Sequence, residues 1–205
     1  MIPSRDLEGE SNVPEDATYW VPDAEDIDEE GFGGFRDTWR MDGVSEQEAR
    51  EAVSLEAAIL FGLQSMELGE SEFERLASIL EYGDLSELES EFGIPISNAP
   101  DAFIRAEDMP FCGLEIGVAG LVFALSSRGV YTAASCRSHQ PLETSWSQFP
   151  VVLFAATRSQ AEWLAPAVAV AGCVFERDVH RPNLLAVCGK SVLQMHALAV
   201  EILKA

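Results

Sequence analysis

The order of patterns along the chain predicts an α+β fold: a two-layer sandwich with a four-stranded, mainly antiparallel sheet and helices, preceded by an acidic helical N-terminal region. Three observations carry this expectation. Apolar runs at helical spacing alternate with short strand-like runs in the second half, in the order α–β–β–α–β–β–α. Capping boxes and glycine stops punctuate the helical runs. The charge also divides the chain: residues 1–110 hold 29 acidic against 6 basic side chains and residues 111–205 hold 6 against 7, so the net charge of -22 belongs to the first half.

Residues 1–43 contain Pro3, Pro14, Pro22, the acid run "DAEDIDEE" and the glycine-rich "GFGGF". That composition suppresses regular structure and predicts an acidic, aromatic-containing, partly disordered arm. Tyr19, Trp20, Phe32, Phe35 and Trp39 nevertheless give the arm rings that need a surface to cover, on this protein or on another. Residues 44–110 read as an acidic helical region and connector. Its first helix opens on the box Ser45 with Glu48 and runs to about Met66, with Val53, Leu55, Ala58, Ile59, Phe61 and Leu63 as its apolar side. A second box, Ser71 with Glu74, opens a helix through "FERLASILEY", and "DLSELESEF" is a short third helix ending at Gly93. The stretch that follows, with Pro95, Pro100 and Pro110, reads as a long connector.

Residues 111–205 form the α+β domain. "LEIGVAGLVFALSSRG" is an apolar helix stopped by Gly129, and "VYTAASC" and "PVVLFAA" are strands separated by a long loop. "SQAEWLAPAVAVAG" begins with a third box, Ser159 with Glu162, contains Pro166, which predicts a kink or a break, and ends at Gly172. "CVFERD" and "NLLAVCG" make a hairpin across "VHRP", and Ser191 caps the closing helix "VLQMHALAVEILK". The link from the second strand through a helix to the third is the one parallel crossover. This half has enough apolar surface to be expected to fold without residues 1–43.

Composition narrows the function classes. There is no apolar leader and no run of about 18 apolar residues, so no membrane partner is expected and a cytoplasmic location is. In that compartment Cys112, Cys136, Cys173 and Cys188 are expected as free thiols. Phosphate binding needs a basic stripe that the sequence lacks, which argues against direct nucleic acid binding. "GLEIGVAG" has spaced glycines but follows no strand, so it is no nucleotide fingerprint. The natural complement of so acidic a half is a basic protein partner. The oligomeric state stays open.

Cys136 and His139 are the eye-catching pair. A cysteine at a strand end becomes a nucleophile when an imidazolium, arginine or helix N-terminus favours its thiolate, and Arg137 and His139 are both local. Three residues of extended chain span about 10 Å, so the pair meets only if "CRSH" turns. Two readings stand: a semi-buried thiol at the sheet edge, or a Cys-dependent enzyme or metal site built on Cys136 and His139, with His180 as another base and Glu143 orienting the ring. Zinc would need completion by Cys173, His180 or Cys188, and Cys173 and Cys188 stand within apolar strands, so less than one equivalent of zinc and no cofactor are expected. His196, among Met195, Leu198 and Ala199, reads as a boundary residue.

The stretch "TAASCRSH" resembles the Ser-Cys-Ser-Gly-Arg/His element at a strand end in the wybutosine-synthesis methyltransferase family of tRNA-modification proteins, with Ser138 in place of the central glycine. The resemblance implies a strand followed by a turn and carries over neither activity nor cofactor. The preferred functional expectation is a non-catalytic acidic binding or regulatory protein of immunity or accessory type. Its binding residues would be Trp20, Asp23, Glu25, Asp26, Asp28, Glu29, Glu30 and Trp39 in the arm, with Trp146 as an anchor on the loop after the first strand.

Overall fold

Strand β2 (Val151–Ala155) explains the plan of the molecule, because all five of its residues are buried and alternate ones serve different cores. Val152 and Phe154 point into a large cluster shared with the helices, while Val151, Leu153 and Ala155 join a smaller cluster on the other face. The computed structural model describes residues 2–26, 44–82, 85–108, 111, 113–139, 145–177 and 181–205. Among them are strands β1 (Tyr131–Cys136), β3 (Val174–Arg177) and β4 (Leu185–Cys188), arranged in the order β1-β2-β4-β3. The helices are α1 (Glu46–Ser65), α2 (Glu70–Tyr82), α3 (Ser86–Phe92), α4 (Asp101–Asp108), α5 (Ala119–Ser127), α6 (Arg158–Ala171) and α7 (Val192–Lys204). The fold is α+β. β2 and β3 run the same way, as the crossover predicts, but β4 lies between them, so every hydrogen-bonded pair is antiparallel.

The same alternation continues across the sheet. Val152, Val187 and Phe175 stand in register and face the helices, and Val151, Cys188 and Val174 face the other way. In β1 the period is broken by a bulge between Thr132 and Ala134, where Ala133 has no partner of its own. An extra residue resets which side each later residue faces. Cys136 therefore pairs with Val151 on the smaller face, and it is completely buried. This corrects the expected semi-buried thiol at the sheet edge to a fully buried one.

α1 packs on α5 and α7, and α4 packs on α1, so the large cluster unites residues from both halves of the chain. Two close approaches seat α5. Glu56 of α1 is fully buried, and its Oε1 accepts from the backbone N–H groups of Gly117 at 2.9 Å and Gly120 at 3.1 Å, at the positive end of the helix. Its Oε2 lies 3.0 Å from Nδ1 of His196. A Cβ on Gly120 would stand 2.4 Å from that carboxylate, and Gly117, at φ +100°, would bring one within 2.4 Å of Val192. The spaced glycines of "GLEIGVAG" thus admit an internal carboxylate and the wall of α7.

Local signals were displaced in several places. α2 begins a residue before the expected box: Gly69 N–H donates to Glu72, and Glu74 is released to face inward. In α6 the box is Thr157 with Gln160, while Glu162 pairs with Arg158. That helix runs through Pro166 unbroken to Gly172. Ser191 occupies the N-cap of α7 without a side-chain cap bond. The expected connector contains α4, which starts directly after Pro100 and buries Ala102, Phe103 and Ala106. Gly62 of α1 leaves the space that the Phe103 ring fills.

The described part of the arm, residues 2–26, lies on the protein itself. Ile2 enters the large cluster and Leu7 the smaller one. Arg5 N–H donates to Lys190 O at 2.9 Å, and Glu10 O accepts from Phe175 N–H at 2.9 Å, extending the sheet by one bridge at β3. Trp20 packs against the smaller cluster and its indole N–H donates to Asn183 O. The arm thereby covers a sheet face that the helices leave, and it adds to the stability of a half expected to fold without residues 1–43. Burying side chains the size of Ile2 and Leu7 is worth about 1.5–3 kcal/mol each. Urea unfolding of residues 44–205 against the full chain should accordingly show a loss of about 3 kcal/mol or more, or an insoluble product; equal stability would mean that the arm only rests on the surface.

Candidate functional site

The end of β1 brings Cys136, Arg137 and His139, the residues that the sequence singles out, together with charged side chains that it does not. Glu74, Ser78 and Glu81 recur at i, i+4 and i+7 on α2 and so share one face of that helix. Arg137 is received by this face: its side chain is 1% exposed, its Nη2 donates to Glu74 Oε1 at 2.7 Å and Ser78 Oγ at 3.1 Å, its Nε donates to Glu74 Oε2 at 3.2 Å, and its Nη1 donates to Glu81. Glu81 Oε1 also accepts from Ile116 N–H at 2.6 Å. The backbone N–H of Arg137 donates to Glu115 Oε2 at 2.7 Å.

Ser138 then turns the chain at φ 71°, in the left-handed region that favours glycine, and the strand-and-turn expectation is met. The turn carries His139 back to the cluster, where Nδ1 lies 2.7 Å from Glu74 Oε1 and Nε2 lies 2.8 Å from Glu115 Oε1. Cys136 Sγ accepts from Ser138 N–H at 3.3 Å and lies 3.7 Å from Ser145 Oγ. One donor atom each of Glu115, Cys136 and His139 falls within 4.8 Å of the others.

The protonation states follow from these contacts. Hydrogen bonding to Cys136, then to Glu115 and Glu74, holds His139 far above its ordinary range, so the ring is an imidazolium. Burial acts to raise Glu74, but hydrogen bonds from His139 and Arg137 and their charges outweigh it and bring that carboxyl down to about 2. At Glu81 burial prevails over the Arg137 contacts and raises the group to about 7. Burial opposes the charge of Arg137, and Glu81 and Glu74 more than restore it. An imidazolium that donates at both nitrogens has no lone pair with which to take a proton from Cys136. In this arrangement His139 acts on Cys136 through its positive charge and not by taking its proton.

The remaining candidates scatter. Cys173 and Cys188 are buried thiols, the first pushed up to about 12 by burial and the second also raised by it. His196 is engaged by Glu56. Asp23, Glu25 and Asp26 are exposed at a short 3-10 turn, and Trp146 is 53% exposed. Asp28, Glu29, Glu30, Trp39, Cys112, Glu143 and His180 lie outside the described residues. A feature missed in the sequence is an open groove of about 650 Å³ between the arm and β3, lined by Glu10, Asn12, Val13, Glu15, Asp16 and Glu176 with Arg177. Arg177 pairs there with Asp16. Among the described residues, no helix is long and apolar enough to cross a membrane.

Two stability measurements test the cluster. Arg137→Lys keeps the charge but cannot make the forked contact to Glu74 while reaching Glu81 and Ser78, and should cost about 2–4 kcal/mol in urea unfolding; a loss below about 0.5 kcal/mol would mean that the ion pairs are idle. Glu74 has a folded value below its ordinary 4.5, so its contribution is complete above that pH and disappears as the pH falls towards about 2. The stability gap between the native chain and Glu74→Gln should be about 3 kcal/mol near pH 6 and shrink through that window. A gap that is constant from pH 6 to pH 2.5 would refute the assignment. No family model, curated protein or solved structure matches this chain, and the site is therefore read from its own geometry.

Proposed function

We propose that the protein is a non-catalytic, cytoplasmic binding or regulatory protein that docks a basic protein segment, with the groove between the arm and β3 as part of the docking surface. The observation that carries this reading is the lining of that groove: Glu10, Glu15, Asp16 and Glu176 are all exposed and converge on an opening of about 650 Å³. A single arginine, Arg177, faces them. Such a concavity suits lysine or arginine side chains, whose heads meet carboxylates while their stems lie along Val13. The exposed Asp23, Glu25 and Asp26 lie further along the same arm and add to the field that steers a basic partner.

An arginine-rich peptide titrated into the full chain tests the reading. Its affinity should fall steeply with salt, since exposed charges are screened over about 8–10 Å at 0.1–0.15 M. Replacing Glu10, Glu15 and Glu176 together with Gln should weaken binding about tenfold or more, at roughly 0.5–1 kcal/mol per charge. Neutralising Asp23, Glu25, Asp26, Asp28, Glu29 and Glu30 should mainly slow association. Cys136→Ser should leave the affinity unchanged. Binding that ignores both sets of acidic replacements, or vanishes in Cys136→Ser, would move the function away from the groove.

A further inference from the structure

The three ligand types that zinc prefers, a thiol, an imidazole and a carboxylate, meet at the end of β1. Tetrahedral zinc with bonds of about 2.0–2.3 Å places its ligand atoms roughly 3.3–3.8 Å apart. The donor atoms of Glu115, Cys136 and His139 lie within 4.8 Å of one another, so small side-chain movements would close the set. Proximity alone would be weak ground, but the far side of each ligand is already held. Glu74 takes Nδ1 of His139 at 2.7 Å and leaves Nε2 turned to Glu115, 2.8 Å away. Arg137 N–H holds Glu115 Oε2 at 2.7 Å and leaves Oε1 facing the ring. Ser138 N–H donates to Cys136 Sγ at 3.3 Å and fixes the position of the sulfur.

A carboxylate behind the histidine is the outer contact that orients metal-binding imidazoles. Here that carboxylate is itself gripped through both oxygens by a guanidinium 1% exposed. We propose that Glu115, Cys136 and His139 bind one zinc ion. The charges agree with this, because Arg137 is answered by the ionised Glu74, and what remains facing the ion is one thiolate and one carboxylate against two positive charges. Binding forms one Zn–S, one Zn–N and one Zn–O bond. It releases the Cys136 thiol proton and the His139 Nε2 proton to solvent, and turns the His139–Glu115 hydrogen bond into shared ligation. A mixed S, N and O set selects zinc over magnesium or calcium, which take oxygen ligands. Three protein ligands leave the fourth position of the tetrahedron for water or an anion, and His139 and Glu115, 30% and 25% exposed, stand at its solvent side.

The proposal departs from the expectation of sub-stoichiometric zinc, which sought the missing ligands at Cys173, His180 and Cys188. The site and the docking groove are built from different elements, and neither depends on the other. The full chain, stripped with a chelator and dialysed against zinc chloride, should retain one equivalent of metal. Loaded with cobalt(II), it should show a thiolate-to-metal charge-transfer band. Glu74→Gln should weaken zinc binding by roughly 10–100-fold through loss of the contact that orients the ring. His139→Gln and Cys136→Ser should weaken it further, and Cys173→Ser should not change it. If Cys136→Ser does not fold, the cobalt spectrum of the native chain reports thiolate ligation without it. Well under one equivalent of bound zinc, a cobalt complex without the thiolate band, or full binding by folded His139→Gln would each overturn the proposal.

Discussion

A guanidinium that is 1% exposed must be matched inside the protein, and the match at Arg137 fixes much else. A buried charge without partners is costly by several kcal/mol, whereas one received by two carboxylates and a hydroxyl is tolerable. Glu74, Ser78 and Glu81 are the receivers, so α2 is locked against the end of β1. The same residue reaches the turn before α5 through its backbone, by way of Glu115, and Glu81 reaches that turn through Ile116. Three segments distant in sequence are thus aligned by one side chain and its own N–H. The forked contact to Glu74 also leaves that carboxylate in a fixed position, from which it holds His139.

Upstream of this pairing is the bulge in β1. With strict alternation Cys136 would share the side of Thr132, whose partner Phe154 belongs to the helix-facing core. The extra residue sends the sulfur to the smaller face and the next residue, Arg137, to α2. Ser138 completes the device by reversing direction at positive φ. Bulge and turn together do for the histidine what extended spacing forbids, since three extended residues would carry it about 10 Å from the cysteine.

The regular elements were legible because their periods, caps and stops are local. The order of strands and helices, the hairpin of β3 and β4, and the ends of α3 and α6 at Gly93 and Gly172 all follow from neighbours in sequence. The site was legible only in part. Small residues, "TAAS", fill β1 around the bulge and give no sign of which of them is extra. Glu74 stands three residues after a serine and so imitates a cap, and Glu115 is separated from its partners by a whole helix and strand. Two signals were nevertheless present: the polar stripe Glu74, Ser78 and Glu81, and Glu56 on the apolar side of α1 between Val53 and Leu60. A carboxylate at a core position of an otherwise apolar stripe calls for a buried partner, and here the partner is the start of α5.

The division of charge between the halves takes on a second meaning once these contacts are counted. Glu56, Glu74 and Glu81 all belong to the acidic half, and all three are consumed inside the protein by donors from the neutral half: Gly117, Gly120, His196, Ile116, Arg137 and His139. Arg50 reinforces the same seam by donating to Leu203 O in the last turn of α7, and Arg128 reinforces it by pairing with Glu46. The acidic helices are therefore joined to the α+β half by directional bonds as well as apolar packing, and a hydrogen bond to a charged group is worth about 1.5–3 kcal/mol where a neutral one is worth about 1. Acid drawn inward in this way contributes little to any external field. The negative potential available to a partner comes from what remains outside, the exposed carboxylates of the arm with its groove and the outward faces of α1 to α3, so attraction and cohesion are assigned to different members of one acidic sequence.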